Sequence, residues 1–261
     1  MKIKVVHGFT QNRMAFTPFC NLLEVVADTE VSIIEAPHHG DSPLRGGSLY
    51  DAGRHLEELY GDEDAVFVGY SLGGRILLEA LSSGALSNSG VIVSGAAIDE
   101  GDLKARLARI EADRLLAERV ASIEGREAFT QFLVNWLATP LFNGISQEQA
   151  QLESRLSNDP KSIARVLTEL STGFQEGLLD RLKDVLLESS TSTGNSSARL
   201  GYVYGGSDAK FKAIAQNLKM QIDAVTLVEI DSSGHFTFGE RPYESAQAIA
   251  GILRKWQAGE G

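Results

Sequence analysis

The sequence predicts an α/β fold: a mostly parallel sheet of about six strands, helices on both faces, and a helical cap inserted between the fourth and fifth strands. Three observations lead there. Short β-branched runs alternate with helix-period apolar stretches through the first third of the chain. A long middle section then offers no convincing strand, and alternation resumes to the end.

The elements follow in order. Strands are expected at Ile3–Val6, Val31–Glu35, Ala65–Gly69 and Val91–Ser94, with helices at Phe16–Ala27, Ser48–Tyr60 and Leu72–Ser83 between them. The middle section reads as the helices Asp102–Ala121, Arg126–Leu137, Ser146–Leu156 and Pro160–Thr172. Asn158-Asp159-Pro160 supplies a capping residue with proline at the first helical position, and Ser146-Gln147-Glu148-Gln149 resembles a capping box. A helix at Leu178–Glu188 leads into a polar run, Ser189 to Ser197, that reads as a surface linker. Strands at Leu200–Tyr204 and Val225–Ile230, with helices at Ala209–Met220 and Tyr243–Trp256, complete the chain. The expected division is a core of residues 1–98 and 190–261 around a helical cap of residues 99–189. An insert of that length is too long to be a plain loop.

Composition narrows the function. Lys and Arg number 24 against 35 Asp and Glu, a formal net charge of -11. Nucleic acid and anionic membranes are thus disfavoured partners, and an anionic ligand would need a local arginine cluster. With 43% hydrophobic residues the chain is ordinary globular material. The single Cys20 excludes an internal disulfide or a multi-cysteine metal site and fits a reducing compartment. No apolar run has membrane-spanning length, and the apolar start breaks at His7-Gly8, too soon for a signal peptide. A cytoplasmic location is expected.

The chemistry is concentrated in Gly69-Tyr70-Ser71-Leu72-Gly73-Gly74-Arg75, a strand-to-helix junction. Small residues two before and two after the serine permit the tight turn of a nucleophile elbow, which sets the hydroxyl at a helix N-terminus. Serine is a poor nucleophile or base unless an imidazole takes its proton and a carboxylate orients that imidazole. His235, in the small-residue loop Asp231-Ser232-Ser233-Gly234-His235, is the histidine that follows the last strand. Asp208 follows the preceding strand and is the expected acid. Asp99, after the fourth strand, is the main rival; Asp231 lies too near His235, and Asp223 precedes its strand. The turn His7-Gly8-Phe9 after the first strand predicts an oxyanion hole built from the Phe9 and Leu72 amides. His7 reads as a structural hydrogen-bonder, His38 and His39 as loop structure near the entrance, and His55 as solvated.

These residues resemble α/β-hydrolase-fold enzymes and, among them, the 2-succinyl-6-hydroxy-2,4-cyclohexadiene-1-carboxylate synthases of menaquinone biosynthesis. The resemblance covers nearly the whole chain. Beyond the elbow it rests on Arg109-Ile110-Glu111-Ala112-Asp113, Trp136 to Phe142, Arg155 to Gln175, Gly206 to Phe211, and Gly234-His235 followed by Glu240 and Pro242. It implies a carbon–oxygen lyase that removes a proton beside a ketone and eliminates pyruvate from an enolpyruvyl ether. It also implies that Arg75, Arg109 and Arg155 bind a substrate carrying three carboxylates, with Tyr70 and Trp136 as walls for its ring. Guanidinium suits bidentate carboxylate recognition. Each residue has a plainer reading: Arg109 pairing with Asp113 along its helix, Arg155 as a solvated cap residue, Trp136 as cap core. Arg75 sits against the favourable charge direction of its helix, which suggests an anionic partner. No metal or organic cofactor is expected, and the partner is a small polycarboxylate.

The chain departs from the family pattern at several points. It begins at what would be the third strand of the full fold, His38 stands where glycine is usual, and Phe236 and Phe238 replace polar residues. The alternatives are a cap-bearing serine carboxylesterase or carbon–carbon-bond hydrolase using the same three residues, and a binding module that has kept the fold without catalysis. Fold alone does not separate them.

Overall fold

The computed structural model describes residues 1–86, 89–98, 101–142, 145–146, 151–191 and 198–259. Its six strands are β1 (Lys2–Val6), β2 (Val31–Ile34), β3 (Ala65–Tyr70), β4 (Gly90–Ser94), β5 (Arg199–Gly205) and β6 (Thr226–Ile230). They form one sheet in the order β2-β1-β3-β4-β5-β6, and every neighbouring pair is parallel. A parallel sheet is buried on both faces, which is why its strands read as apolar runs rather than alternating patterns.

Each face has its own core. Val5 and Val68 point to one side, where Phe16, Phe19 and Leu23 of α1 (Arg13–Ala27) meet Ile249 and Ile252 of the C-terminal helix. Val6 and Phe67 point to the other, packed with Leu56 of α2 (Leu49–Tyr60), Ile76 and Leu77 of α3 (Leu72–Ser82) and Leu182. The split follows from the two-residue period of a strand.

Among the described residues, the segment between β4 and β5 is helical: α4 (Leu103–Ala121), α5 (Arg126–Leu137), α6 (Leu152–Arg155), α7 (Pro160–Glu169) and α8 (Leu178–Thr191). Ala117, Val120, Phe129, Leu133, Ile163 and Leu167 give α4, α5 and α7 a separate small core, and Phe9 of the sheet domain packs against it. After β5 come α9 (Ala209–Gln221), α10 (Thr237–Glu240) and α11 (Pro242–Gln257).

One expected helix is shorter than its pattern, and another lies partly outside the described residues. Within Ser146–Leu156 the described residues are helical at Leu152–Arg155, with Gln151 in left-handed geometry just before them and residues 147–150 outside those described. The helix from Pro160 stops at Glu169, because Leu170 leaves helical geometry and Ser171 caps a separate turn at Thr172–Phe174. Asp99 and most of the 189–197 run also lie outside the described residues. No helix among the described residues is long and apolar enough to cross a membrane.

The strand order creates one special crevice. The chain moves outward from β1 to β2, then returns across β1 to lay down β3, so the connections reverse direction between β1 and β3. In such sheets ligands bind outside the carboxyl ends of the strands at this reversal. The turns after β1 and β3 are His7-Gly8-Phe9 and Ser71-Leu72-Gly73.

Cys20, on the inward face of α1, is buried, and burial pushes its thiol up to about 12. The folded protein at pH 8 should therefore resist a thiol–disulfide reagent and react fully only after denaturation. Rapid labelling of the native protein would mean that α1 is not packed against the sheet.

Candidate active site

Ser71 occupies the junction of β3 and α3 with φ 49 and ψ -107, a conformation that side chains rarely adopt. Strain of this kind costs on the order of 1–3 kcal/mol and persists only where neighbours impose it. The neighbours are identifiable: Ser71 N donates to Ser94 O (2.8 Å) and Gly73 N to His7 O (3.1 Å). A Cβ on Gly73 would lie 2.2 Å from Val6 O, so only glycine lets α3 start this close to β1. The turn lifts the serine hydroxyl over the sheet edge.

His235 reaches that hydroxyl from the loop after β6. Its Nε2 lies 3.4 Å from Ser71 Oγ, and its Nδ1 lies 3.2 Å from Asp208 Oδ2. The arrangement fits Nδ1–H donating to the carboxylate and Nε2 facing the serine proton. Asp208 is held in turn, because its Oδ1 accepts from Phe211 N (3.2 Å) as the N-cap of α9. The imidazole is enclosed by aromatic rings, with Phe211 at 4.5 Å, Tyr70 at 5.4 Å and Phe142 at 5.9 Å between centroids. Glu240 braces the loop on both sides of His235, accepting from Gly234 N (2.7 Å) and Phe236 N (2.9 Å).

The loop after β1 comes to the same place, with Phe9 lining the cavity beside Ser71. Gly8 O accepts from His7 Nδ1 (2.9 Å) and from Gln11 N (3.2 Å). A trans peptide sets the Phe9 N–H opposite that carbonyl. Neither the Phe9 nor the Leu72 amide donates to a protein acceptor among the described residues. His7 is itself fully buried, with Nε2 2.7 Å from Glu35 Oε2. Glu35 also accepts from Arg13 N (2.9 Å). Burial works against its ionised form, but the bonds from His7 and Arg13 prevail and hold the carboxyl below its ordinary value.

A cavity of about 350 Å³ opens above Ser71 and His235, roofed by the helical segment. Phe9, Trp136, Arg75, Arg109, Lys210 and Phe211 are among its walls. Arg75 Nη1 donates to Leu170 O (2.6 Å), and Arg109 Nε donates to Asp113 Oδ2 (2.8 Å). The expected Arg109–Asp113 pair and the cavity position therefore coexist. Asp113 is shared with Ser171 Oγ (2.7 Å). Trp136 faces the cavity and meets Phe9 edge-on at 5.3 Å. Its indole nitrogen is buried with no hydrogen-bond partner among the described residues.

Tyr70 and Arg155 stand elsewhere. Tyr70 is buried beneath the elbow beside Phe16 and Phe236, where burial pushes its phenol well above the ordinary value. Arg155 is 1% exposed rather than solvated, its guanidinium behind Phe9. Neither is among the cavity-lining side chains. Burial lowers Arg155 to about 10, which still leaves it charged at neutral pH. Among the described residues no group of three or more His, Cys, Asp or Glu side chains is arranged to hold a metal. His38 instead meets Glu169 (2.6 Å), and His39 accepts from Thr10 N (3.1 Å).

The profile of the alpha/beta hydrolase family matches residues 5–248. The chain belongs to this family. Its similar relatives include the 2-succinyl-6-hydroxy-2,4-cyclohexadiene-1-carboxylate synthase of Escherichia coli O7:K1, 29% identical over 88% of this chain and 86% of that one. The enzyme of the same name from Salmonella paratyphi B is 29% identical over 85% and 82%. In three dimensions the chain resembles MenH from S. aureus, with a TM-score of 0.82 and 24% identity over 98% of this chain and 94% of that one. A thermophilic esterase from Thermogutta terrifontis gives a TM-score of 0.72 at 20% identity, over 98% and 90%.

For this alpha/beta hydrolase the residues to which the sequence alone gives no role are Lys210, Phe211 and Glu240. Lys210 and Phe211 carried a signal, since they complete the turn that holds Asp208. The task of Glu240 and the second partner of Asp113, Ser171, depend on backbone amides or on residues distant in sequence, which residue type does not reveal.

Glu35→Gln should cost about 1–3 kcal/mol at neutral pH by breaking a buried charged network. Because the folded carboxyl is lowered, its contribution is complete above the ordinary glutamate value and is lost as pH falls through the folded one. Denaturant melts should thus show a steeper acid loss in the parent protein than in the variant; parallel curves would remove Glu35 from the network.

Proposed function

We propose that this alpha/beta hydrolase is a lyase acting in menaquinone biosynthesis. It would eliminate pyruvate from 2-succinyl-5-enolpyruvyl-6-hydroxy-3-cyclohexene-1-carboxylate. What carries the reading is one juxtaposition: Ser71, His235 and Asp208 in contact sequence beneath a cavity whose walls hold Arg75, Arg109 and Lys210. In a chain of net charge -11, three cationic side chains around one cavity are selective for an anionic ligand. The names of its relatives add to this reading.

In the proposed mechanism Ser71, its proton drawn by His235, removes the hydrogen beside the succinyl ketone. Asp208 holds the imidazole in the tautomer that accepts at Nε2 and stabilises its protonated form. The electron pair left on carbon delocalises onto the ketone oxygen, where the Phe9 and Leu72 amides meet the developing charge. Collapse of this enolate forms the second ring double bond and breaks the carbon–oxygen bond of the ether. The departing enolpyruvate takes a proton and becomes pyruvate. No acyl-enzyme forms. Arg75 and Arg109 bind carboxylates, Trp136 borders the ring, and Tyr70 and Arg155 stand one layer away, beneath the elbow and behind Phe9. Residues 99–189 act as the cap over a core of residues 1–98 and 190–261, and a reducing cytoplasm suits a chain with one buried thiol.

Pyruvate release from the enolpyruvyl substrate, coupled to lactate dehydrogenase, tests the proposal. Ser71→Ala should abolish release. Arg75→Ala should lower kcat/KM by about 10- to 100-fold, the worth of a charge-assisted contact of ~1.5–3 kcal/mol. Ester hydrolysis without pyruvate release would replace the lyase reading with a carboxylesterase.

A further inference from the structure

Thr10, the residue after Phe9, has φ 64, a left-handed conformation that a β-branched residue adopts only under constraint. All of its polar atoms are taken. Its amide donates to the buried His39 Nε2 (3.1 Å), its carbonyl accepts from Asn158 Nδ2 (2.8 Å), and its hydroxyl accepts from Arg155 Nη1. The same Arg155 nitrogen donates to Phe9 O (3.3 Å). His39 is anchored by Nδ1–H donating to Pro37 O (2.9 Å), and burial holds the ring neutral, so Nε2 is free to accept. Asn12 extends the joint by donating to Ser154 O (2.6 Å) and Ser157 Oγ (2.8 Å).

These partners come from two sides. His39 belongs to the sheet domain, while Arg155 and Asn158 belong to the helical segment inserted after β4. Arg155 is 1% exposed and Asn158 5%, so their bonds are made in a site closed to water. The peptide before Phe9 is fixed at Gly8 O by His7 and Gln11, both of the sheet domain. The peptide after it is fixed by Arg155. The Phe9 N–H lies in the first of these peptides, and the second, held from the inserted segment, fixes the course of the chain just beyond it.

We propose that Arg155 and Asn158 are positioning residues: they hold Thr10 in its left-handed conformation and thereby aim the Phe9 amide at the oxyanion formed above Ser71. Docking of the inserted segment completes the oxyanion hole as well as enclosing the cavity. The inference rests on the Ser71-centred reading but not on the identity of the substrate. It gives Arg155 a task separate from binding a substrate carboxylate.

Diethyl 4-nitrophenyl phosphate separates the two tasks because it has no carboxylate. Ser71 Oγ attacks phosphorus, His235 takes the serine proton, and 4-nitrophenolate leaves as the phosphoryl oxygen occupies the oxyanion hole. The burst of 4-nitrophenolate gives the rate. Arg155→Lys, Asn158→Ala and Thr10→Val should each slow phosphorylation by about 10-fold or more, given that one oxyanion donor is worth about 10²–10³. Thr10→Ser, which keeps the oxygen, should recover most of the rate relative to Thr10→Val. With the enolpyruvyl substrate the same variants should lose kcat while KM changes little. Should Arg155→Lys fail to fold by circular dichroism, Asn158→Ala and Thr10→Val decide the matter. Phosphorylation within twofold of the parent in the folded variants, with a raised KM in Arg155→Lys, would overturn the inference and make Arg155 a substrate ligand. A parent protein that forms no phosphoryl–Ser71 would instead bring down the Ser71 reading itself.

Discussion

The backbone of α3 starts within hydrogen-bonding distance of the end of β1, and the site depends on that approach. Gly73 N meets His7 O, and no side chain fits between them. The contact fixes the relation between the turn that carries Ser71 and the turn that carries Phe9. It occurs where the strand order reverses, the place in a parallel sheet where two adjacent loops diverge and leave a crevice. The Ser71 hydroxyl and the loop that carries Phe9 are thereby set beside one small volume. Neither loop has to be flexible for the site to form.

Around this point several polar groups serve orientation. His7 and Gln11 hold Gly8 O, Asp208 caps α9 with the oxygen that does not face His235, and Glu240 takes the amides flanking His235. Each carboxylate serves two partners, so a displaced side chain would leave a buried charge short of a bond, which is costly in a low dielectric. Rigidity of this kind lets a site stabilise developing charge without reorganising at the moment of reaction.

Electrostatics runs against the protein's overall charge. The cavity walls carry Arg75, Arg109 and Lys210, while the acidic excess lies elsewhere. Arg75 donates to Leu170 O and Arg109 to Asp113, which fixes part of each guanidinium in place. Both acceptors lie in the inserted segment, so the segment that roofs the cavity also sets its charge.

Local sequence was enough for the strands, most helices, the elbow at Ser71 and the pairing of His235 with Asp208, because periodicity, glycine spacing and chain order are local or sequential properties. It was not enough for the end of the helix that starts at Pro160, whose pattern runs on to Thr172, nor for the placement of Arg155 and Tyr70. An arginine followed by Leu156 and Ser157 looks the same whether its guanidinium faces a substrate, solvent or Thr10. Only the docking of the inserted segment on the loop after β1 decided among these, since a buried charge takes whatever acceptors the converging backbones present. Residue types along the chain thus determined which chemistry is available, and tertiary contact decided which groups perform it and which hold the others still.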